Sequence, residues 1–231
     1  MESKVFETEK CKLNYRIYIP ENISNNCTLI LWMHGAGERG TDNARHITEN
    51  DTFLKKYFSK GYSEKYPAIV IAPQCPQIRE SGEEARWVDW DWSKGSFRDP
   101  VFESPEINSV IKLCDFYINK YNLDMSKSII TGISMGGFAT WDIITRYPDK
   151  FRTALPVCGG GCIAKAEQAK NTRIRTFHSA DDDIVPVSAT RDMAAVLGKF
   201  GIDYKEYDSE GHGCWERAYN EEDTFVWLFD F

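Results

Sequence analysis

The sequence predicts an α/β domain built on a mostly parallel central sheet with helices on both faces. Three observations carry that prediction. Apolar runs at 28–34, 68–72, 128–131, 153–158 and 173–178 include several continuous enough to be buried on both sides, as strands of a parallel sheet are. Helical patterns at about 105–121, 135–146 and 187–199 fall between the later runs, so strand and helix alternate through the second half. No linker, internal repeat or low-complexity tract interrupts the 231 residues, which are read as a single domain, 1–231.

Each element has a local reason. LNYRIYI (13–19) alternates apolar and polar residues and suits an antiparallel edge strand, whereas TLILWMH (28–34) is apolar throughout. Ser104-Pro105-Glu106 marks the start of the 105–121 helix with a cap and a first-turn proline, and Pro148 follows the end of the 135–146 helix. Residues 202–208 read as a last strand before a terminal helix. The segment 74–104 is different: thirty-odd residues rich in Trp, Asp, Gly and Arg and without periodicity. Such a long connection within a compact domain is expected where it covers a functional site, so it is read as a substrate-pocket insertion.

A net charge of −7 argues against a nucleic-acid backbone or an anionic membrane surface as the main partner, because either would call for a basic face. A small molecule is the expected partner, and the sequence gives no oligomeric state. No apolar run reaches the roughly 18 residues of a membrane span, and MESKVFETEKCKLNY lacks the features of a signal peptide, so a cytoplasmic location is expected. Seven cysteines without C-x-x-C or zinc-ribbon spacing fit reduced thiols. Neither a metal nor an organic cofactor is implied.

The stretch TGISMGGFATW (131–141) sets Gly132-Ile133-Ser134-Met135-Gly136 between an apolar run and a helix. That is the setting in which a G-x-S-x-G elbow lifts a serine hydroxyl clear of a sheet and aims the following helix N-terminus at it. Ser134 is therefore the candidate nucleophile, and the Met135 amide a candidate oxyanion donor. A serine needs a base and the base an orienting carboxylate. Of four histidines, His34 and His178 close strands and read as structural, His46 lies in a polar segment and reads as solvated, and His212 sits in the glycine-flanked loop SEGHGCWERAY. His212 is the candidate base. FHSADDDIVPV offers Asp181, Asp182 and Asp183 at the strand edge shared with Ser134, and Asp182 is chosen. The order Ser134, Asp182, His212 is that of the α/β-hydrolase fold.

The second oxyanion donor is expected from the turn after an early strand, LWMHGAGERGTDN (31–43), with the Ala36 amide as candidate and Gly37 as near alternative. Glu38 and Arg39 follow at once. They either brace the turn or reach the substrate; the brace is favoured because a loop carrying oxyanion donors needs support, and Arg39 is kept among the candidate substrate contacts. In RWVDWDWSKGSFRD (86–99), Trp87, Trp90 and Trp92 alternate with Asp89 and Asp91. They are read either as a satellite core or as a wall that stacks on a sugar or phenolic ring.

HGAGERGTDN (34–43), APQCP (72–76), GISMGG (132–137), HSADDDIVPV (178–187) and GHGCWERAY (211–219) together resemble the α/β-hydrolase serine esterases related to polyhydroxybutyrate depolymerases, the feruloyl esterases of carbohydrate esterase family one, and the bacterial predicted peptidases near them. In that group the acid loop reads D-x-x-V-P, which falls on Asp182 through Val185-Pro186. The histidine there precedes a tryptophan at short distance, as His212 precedes Trp215. The loop has Ser179 where the group often has glycine. The resemblance implies an α/β-hydrolase fold and a serine carboxylic-ester hydrolase acting through an acyl-enzyme, on acetyl or hydroxycinnamoyl esters of plant-wall sugars. The missing secretion signal favours short esters over polymer. Two alternatives stand beside it: a serine peptidase or acyl-peptide hydrolase using the same three residues, and a non-catalytic binding module on the same fold.

Overall fold

The computed structural model describes residues 1–23, 27–59 and 61–230. Its strands are β1 (Glu2–Glu7), β2 (Lys12–Tyr18), β3 (Thr28–Met33), β4 (Ala68–Gln74), β5 (Ile129–Ile133), β6 (Thr153–Val157), β7 (Arg173–Ser179) and β8 (Asp203–Tyr207). The helices are α1 (Thr52–Ser59), α2 (Tyr62–Lys65), α3 (Pro105–Tyr121), α4 (Met135–Arg146), α5 (Ser188–Leu197), α6 (Trp215–Asn220) and α7 (Thr224–Leu228). The strands form one sheet in the order β1-β2-β4-β3-β5-β6-β7-β8, antiparallel at β1/β2 and β2/β4 and parallel elsewhere.

The sheet separates two apolar layers. On one side Leu29, Leu31 and Met33 of β3 pack with residues of α3, α4 and α5; on the other Ile30 and Trp32 of the same strand pack with α1, α6 and α7. Alternate residues of one strand thus feed opposite cores, which is why TLILWM is apolar at every position. The expectation of helices on both faces holds.

Two expectations need correction. LNYRIYI is antiparallel but not the edge, because β1 pairs along its whole length from Glu2↔Ile17 to Glu7↔Lys12. β1 (ESKVFE) is exposed at nearly every position, so it carries no apolar alternation to announce a strand. The terminal helix is two short helices, α6 and α7, both packed on the β3/β5 side of the sheet that α1 covers.

The long connection 74–104 contains one turn of 3-10 helix, Trp92–Lys94, and is fastened at both flanks. The Trp87 indole donates to the His34 carbonyl (3.1 Å), and Ser104 Oγ donates to the Trp87 carbonyl (2.6 Å). Farther along, Phe97 N donates to the Gly161 carbonyl (3.1 Å) and Ser96 Oγ to the Ala189 carbonyl (2.7 Å). Arg79 grips the buried Glu106 with Nε and Nη2 and reaches Asp89 (2.7 Å). An aperiodic segment is held here mainly by side-chain bonds, with an isolated bridge at Phe97 in place of a ladder. Among the described residues no helix is long and apolar enough to cross a membrane.

Candidate active site

All parallel strands deliver their C-terminal ends to one edge, and the loops leaving β3, β5, β7 and β8 meet there. Ser134 stands between β5 and α4 with φ 53° and ψ −119°, a conformation L-residues rarely adopt. Such strain costs about 1–3 kcal/mol and persists only where the surroundings over-determine it. Here backbones do so. A Cβ on Gly136 would lie 2.0 Å from the Met33 carbonyl oxygen, and one on Gly132 would lie 2.4 Å from that of Gly136. Glycine before and after the serine is therefore demanded by contact between α4, β3 and β5.

Ser134 Oγ donates to His212 Nε2 at 2.8 Å, and His212 Nδ1 donates to Asp182 at 2.8 Å (Oδ2) and 3.0 Å (Oδ1). The Asp182 side chain is fully buried, and its Oδ1 also accepts the amides of Ile184 (3.0 Å) and Val185 (2.9 Å). Burial alone would push the Asp182 carboxyl up. Hydrogen bonds from His178, His212 and the Val185 amide outweigh it and hold the group well below the usual carboxylate range. The acid is thus an anion, and its charge is spent on the imidazole facing Ser134. Trp215 stands edge-on to His212, with ring centroids 5.4 Å apart. The structure brings the three residues chosen from the sequence into one hydrogen-bonded row.

Asp181 is exposed, yet its Oδ1 accepts from Ser179 Oγ (2.6 Å) and from the Gly211 amide (2.8 Å), pinning the loop that carries His212.

The turn after β3 is a single 3-10 turn, Ala36–Glu38, with Gly35 at its N-cap. A Cβ on Gly35 would lie 3.6 Å from Ser134 Cβ, so the turn flanks the serine. Ala36 and Met135 each open a helical turn, where amides have no intrahelical acceptor. His34 ties this turn down: its Nε2 accepts from the Cys75 amide (3.0 Å) while Nδ1 donates to the Gly35 carbonyl (2.6 Å). Burial and the neighbouring His46 lower its pKa to about 3, so it is neutral. His46, expected to be solvated, is instead fully buried, with Nε2 3.0 Å from the Ala72 carbonyl and a pKa lowered by burial to about 4. The polar letters around it hid a 3-10 turn packed on β4.

Arg39 proves to be a brace. Its Nε donates to the Ala36 carbonyl (3.0 Å) and its Nη1 to Glu84 (2.7 Å) and the Ala85 carbonyl (2.9 Å), joining the oxyanion turn to the 74–104 connection. Glu38 lies behind the turn, buried, with Oε1 accepting from Asn50 (2.6 Å) and its pKa raised by burial.

The three tryptophans part company. Trp87 is fully buried against the His34 ring (5.2 Å), so its assignment to a substrate wall is corrected: it is core. Trp90 is half-buried, donates to the Gly95 carbonyl (2.8 Å) and packs on Phe97. Trp92 is half-buried beneath the guanidinium groups of Arg86 (4.6 Å) and Arg39 (5.9 Å). Asp89 is spent on Arg79, and Asp91 caps the Trp92–Lys94 turn through Ser93, so the expected hydroxyl-accepting carboxylates are already engaged.

Two neighbours escaped the sequence. Cys158 adopts φ 42° at the end of β6, is fully buried, and has its thiol pushed up by that burial. Among the described residues, ligand atoms of Cys158, Asp182 and His212 lie within 4.8 Å of one another, although Asp182 and His212 spend theirs on each other. The second is His178, whose Nε2 lies 3.1 Å from Asp182 Oδ2.

Comparison with known proteins adds the setting. Residues 103–161, about a quarter of the chain, match the model of the prolyl oligopeptidase family, peptidase family S9. A solved thermostable esterase superposes with a TM-score of 0.83 at 30% identity over 99% of this chain and 62% of its own. The chain has the α/β-hydrolase fold. Acetylxylan esterase A of Emericella nidulans is 28% identical over 159 residues, and a carboxylesterase of Arabidopsis thaliana 25% identical over 204 residues, 80% of this chain and 83% of that enzyme. The chain spans a little under half (46%) of the length of the Emericella enzyme, covering 68% of itself. The resemblance to serine esterases read from the motifs holds.

Proposed function

We propose that this protein is a serine carboxylic-ester hydrolase working through an acyl-enzyme. The row from Ser134 Oγ to His212 Nε2 (2.8 Å) and from His212 Nδ1 to Asp182 (2.8 Å) carries the proposal. In this reading Ser134 Oγ attacks the ester carbonyl as His212 Nε2 takes its proton. The tetrahedral oxyanion is held by the amides of Ala36 and Met135. His212 then gives the proton to the leaving alkoxide, and the carbonyl re-forms as acyl-Ser134. A water enters, loses a proton to His212 and attacks; Ser134 leaves with that proton, and the carboxylic acid is released. Asp182 holds the Nδ1–H tautomer and offsets the charge of the imidazolium.

The preference for esters over amides is supported by the esterase and carboxylesterase likenesses. Acetyl esters of plant-wall sugars are the favoured substrates, supported by the likeness to acetylxylan esterase, with hydroxycinnamoyl esters next on the strength of the motifs. Trp92 is the ring we assign to the substrate.

A serine-directed fluorophosphonate should add one adduct mass, on the peptide containing Ser134, and Ser134→Ala should abolish both labelling and turnover. A parallel panel of acetyl and feruloyl sugar esters and peptide anilides should show turnover on the esters. Faster cleavage of anilides would move the protein to the peptidase alternative, and labelling that survives Ser134→Ala would remove the nucleophile assignment.

A further inference from the structure

His178 puts a second imidazole on the carboxylate that orients the base, and the acyl-transfer cycle gives it no task. It lies near the end of β7 with no exposed surface, four residues before Asp182. Its Nε2 faces Asp182 Oδ2 (3.1 Å) and the Val185 carbonyl (3.0 Å). Both are acceptors, so Nε2 carries a proton. Its Nδ1 lies 2.7 Å from Thr190 Oγ1, which itself lies 2.7 Å from the Gly159 carbonyl. The ring is thereby clamped at both nitrogens between the start of α5 and the acid loop.

Asp182 shows what the clamp does. Its Oδ1 takes two amides that approach from its own loop and the longer contact of His212 Nδ1 (3.0 Å), while Oδ2 takes only the two imidazoles. The carboxylate torsion is broad and roughly two-fold. Without a donor on the far side, Oδ2 would follow His212 wherever that more exposed ring moved; the His212 side chain is 19% exposed, and His178 is not exposed at all. We propose that His178 is a positioning residue for acyl transfer, fixing through its Nε2–H the carboxylate plane of Asp182 and hence the direction in which His212 faces Ser134. The inference rests on the reading of Ser134, His212 and Asp182 as the reacting set.

Two substitutions separate this role from packing, because each keeps a side-chain amide but places it differently. In His178→Gln the terminal nitrogen can occupy the place of Nε2, and in His178→Asn only that of Nδ1. Turnover of an acetyl ester and the rate of phosphonate labelling should stay within a few-fold of wild type in His178→Gln. In His178→Asn both should fall about 10–100-fold at nearly unchanged KM, the scale on which a hydrogen-bond partner of a functional ligand acts. On an Asp182→Asn background, His178→Asn should cost nothing further in labelling rate. Thr190→Val, which frees Nδ1 but keeps the imidazole, supplies the same comparison with a smaller fall in kcat should His178→Asn not fold.

Equal losses with aspartate or asparagine at 182, or wild-type kcat in His178→Asn and Thr190→Val, would overturn the assignment. So would losses that simply track melting temperature. Wild-type turnover in Asp182→Asn alone would instead remove the reading on which the inference rests.

Discussion

A carboxylate with four hydrogen bonds and no solvent contact differs in kind from one at a loop surface, and Asp182 and its neighbours show the contrast within three residues. Asp182→Asn should lower kcat by about 10⁴, as the corresponding change does in serine proteases, because an amide cannot hold the Nδ1–H tautomer. Asp181→Asn should cost far less, since it weakens a strap on Gly211 and not a bond to the base. Steady-state kinetics on both variants checks the order, and a larger loss at 181 would move the acid by one residue. The choice among these aspartates was legible through the resemblance, whose D-x-x-V-P pattern falls on Asp182 because Val185-Pro186 begins three residues on. The role of His178 was not, because it depends on that loop folding back onto the strand it leaves. The tryptophans were legible only as alternatives: nothing in an aperiodic stretch says which ring turns inward, and the decision rests on the His34 carbonyl that receives Trp87. Trp92→Ala should therefore raise KM for an aryl or glycosyl ester more than for ethyl acetate, by a stacking loss of about 0.5–1.5 kcal/mol, with little change in melting. Trp87→Ala should lower the unfolding free energy by the amount a buried aromatic usually costs, about 3–5 kcal/mol, and lower the melting temperature with it.

At the scale of elements, the nucleophile elbow is set by how closely α4 lies on the ends of β3 and β5. Gly136→Ala would drive a methyl carbon into the Met33 carbonyl, where a rigid backbone cannot yield, and should cost more than about 3 kcal/mol or prevent folding. Gly37→Ala meets nothing within 4 Å and should melt with the wild type; denaturant unfolding of the pair makes the comparison. The strands flanking this elbow were legible because burial on both faces writes itself as an unbroken apolar run. β1 was not, because an exposed outer strand is specified by its ladder with β2 and not by its own side chains. Likewise the nine-residue 3-10 segment Ile163–Asn171 buries only Ala166 and Ala169, too few apolar residues to show a period.

For the molecule as a whole, an acidic chain is kept compact partly by where its cations stand. Arg191 makes a two-pronged contact with Glu206 (2.6 and 2.8 Å), joining α5 to β8. That guanidinium, with the Tyr204 hydroxyl, holds the Glu206 carboxyl down at about 2. A folded pKa below the unfolded value of about 4.3 adds stability that is present above the latter and is lost as pH falls toward 2. Melting curves of Glu206→Gln and wild type should therefore differ near pH 6 and converge by about pH 2; a constant gap would show that the contact is steric and not ionic. Glu38 and Asp142, raised by burial, slope the other way, and Glu38 does so directly behind the oxyanion turn. The backbone contacts among Gly132, Gly136 and Met33 have one more consequence, in the history the sequence can have. With no side chain between α4, β3 and β5 there is nothing to trade, so substitutions can accumulate there only by losing the turn that carries Ser134. The 74–104 connection, held largely by side-chain bonds to carbonyls, can exchange those of its exposed residues that, unlike Glu84 and Asp89, carry no ion pair. Descendants of this chain would then diverge along that connection long before they diverge around Ser134.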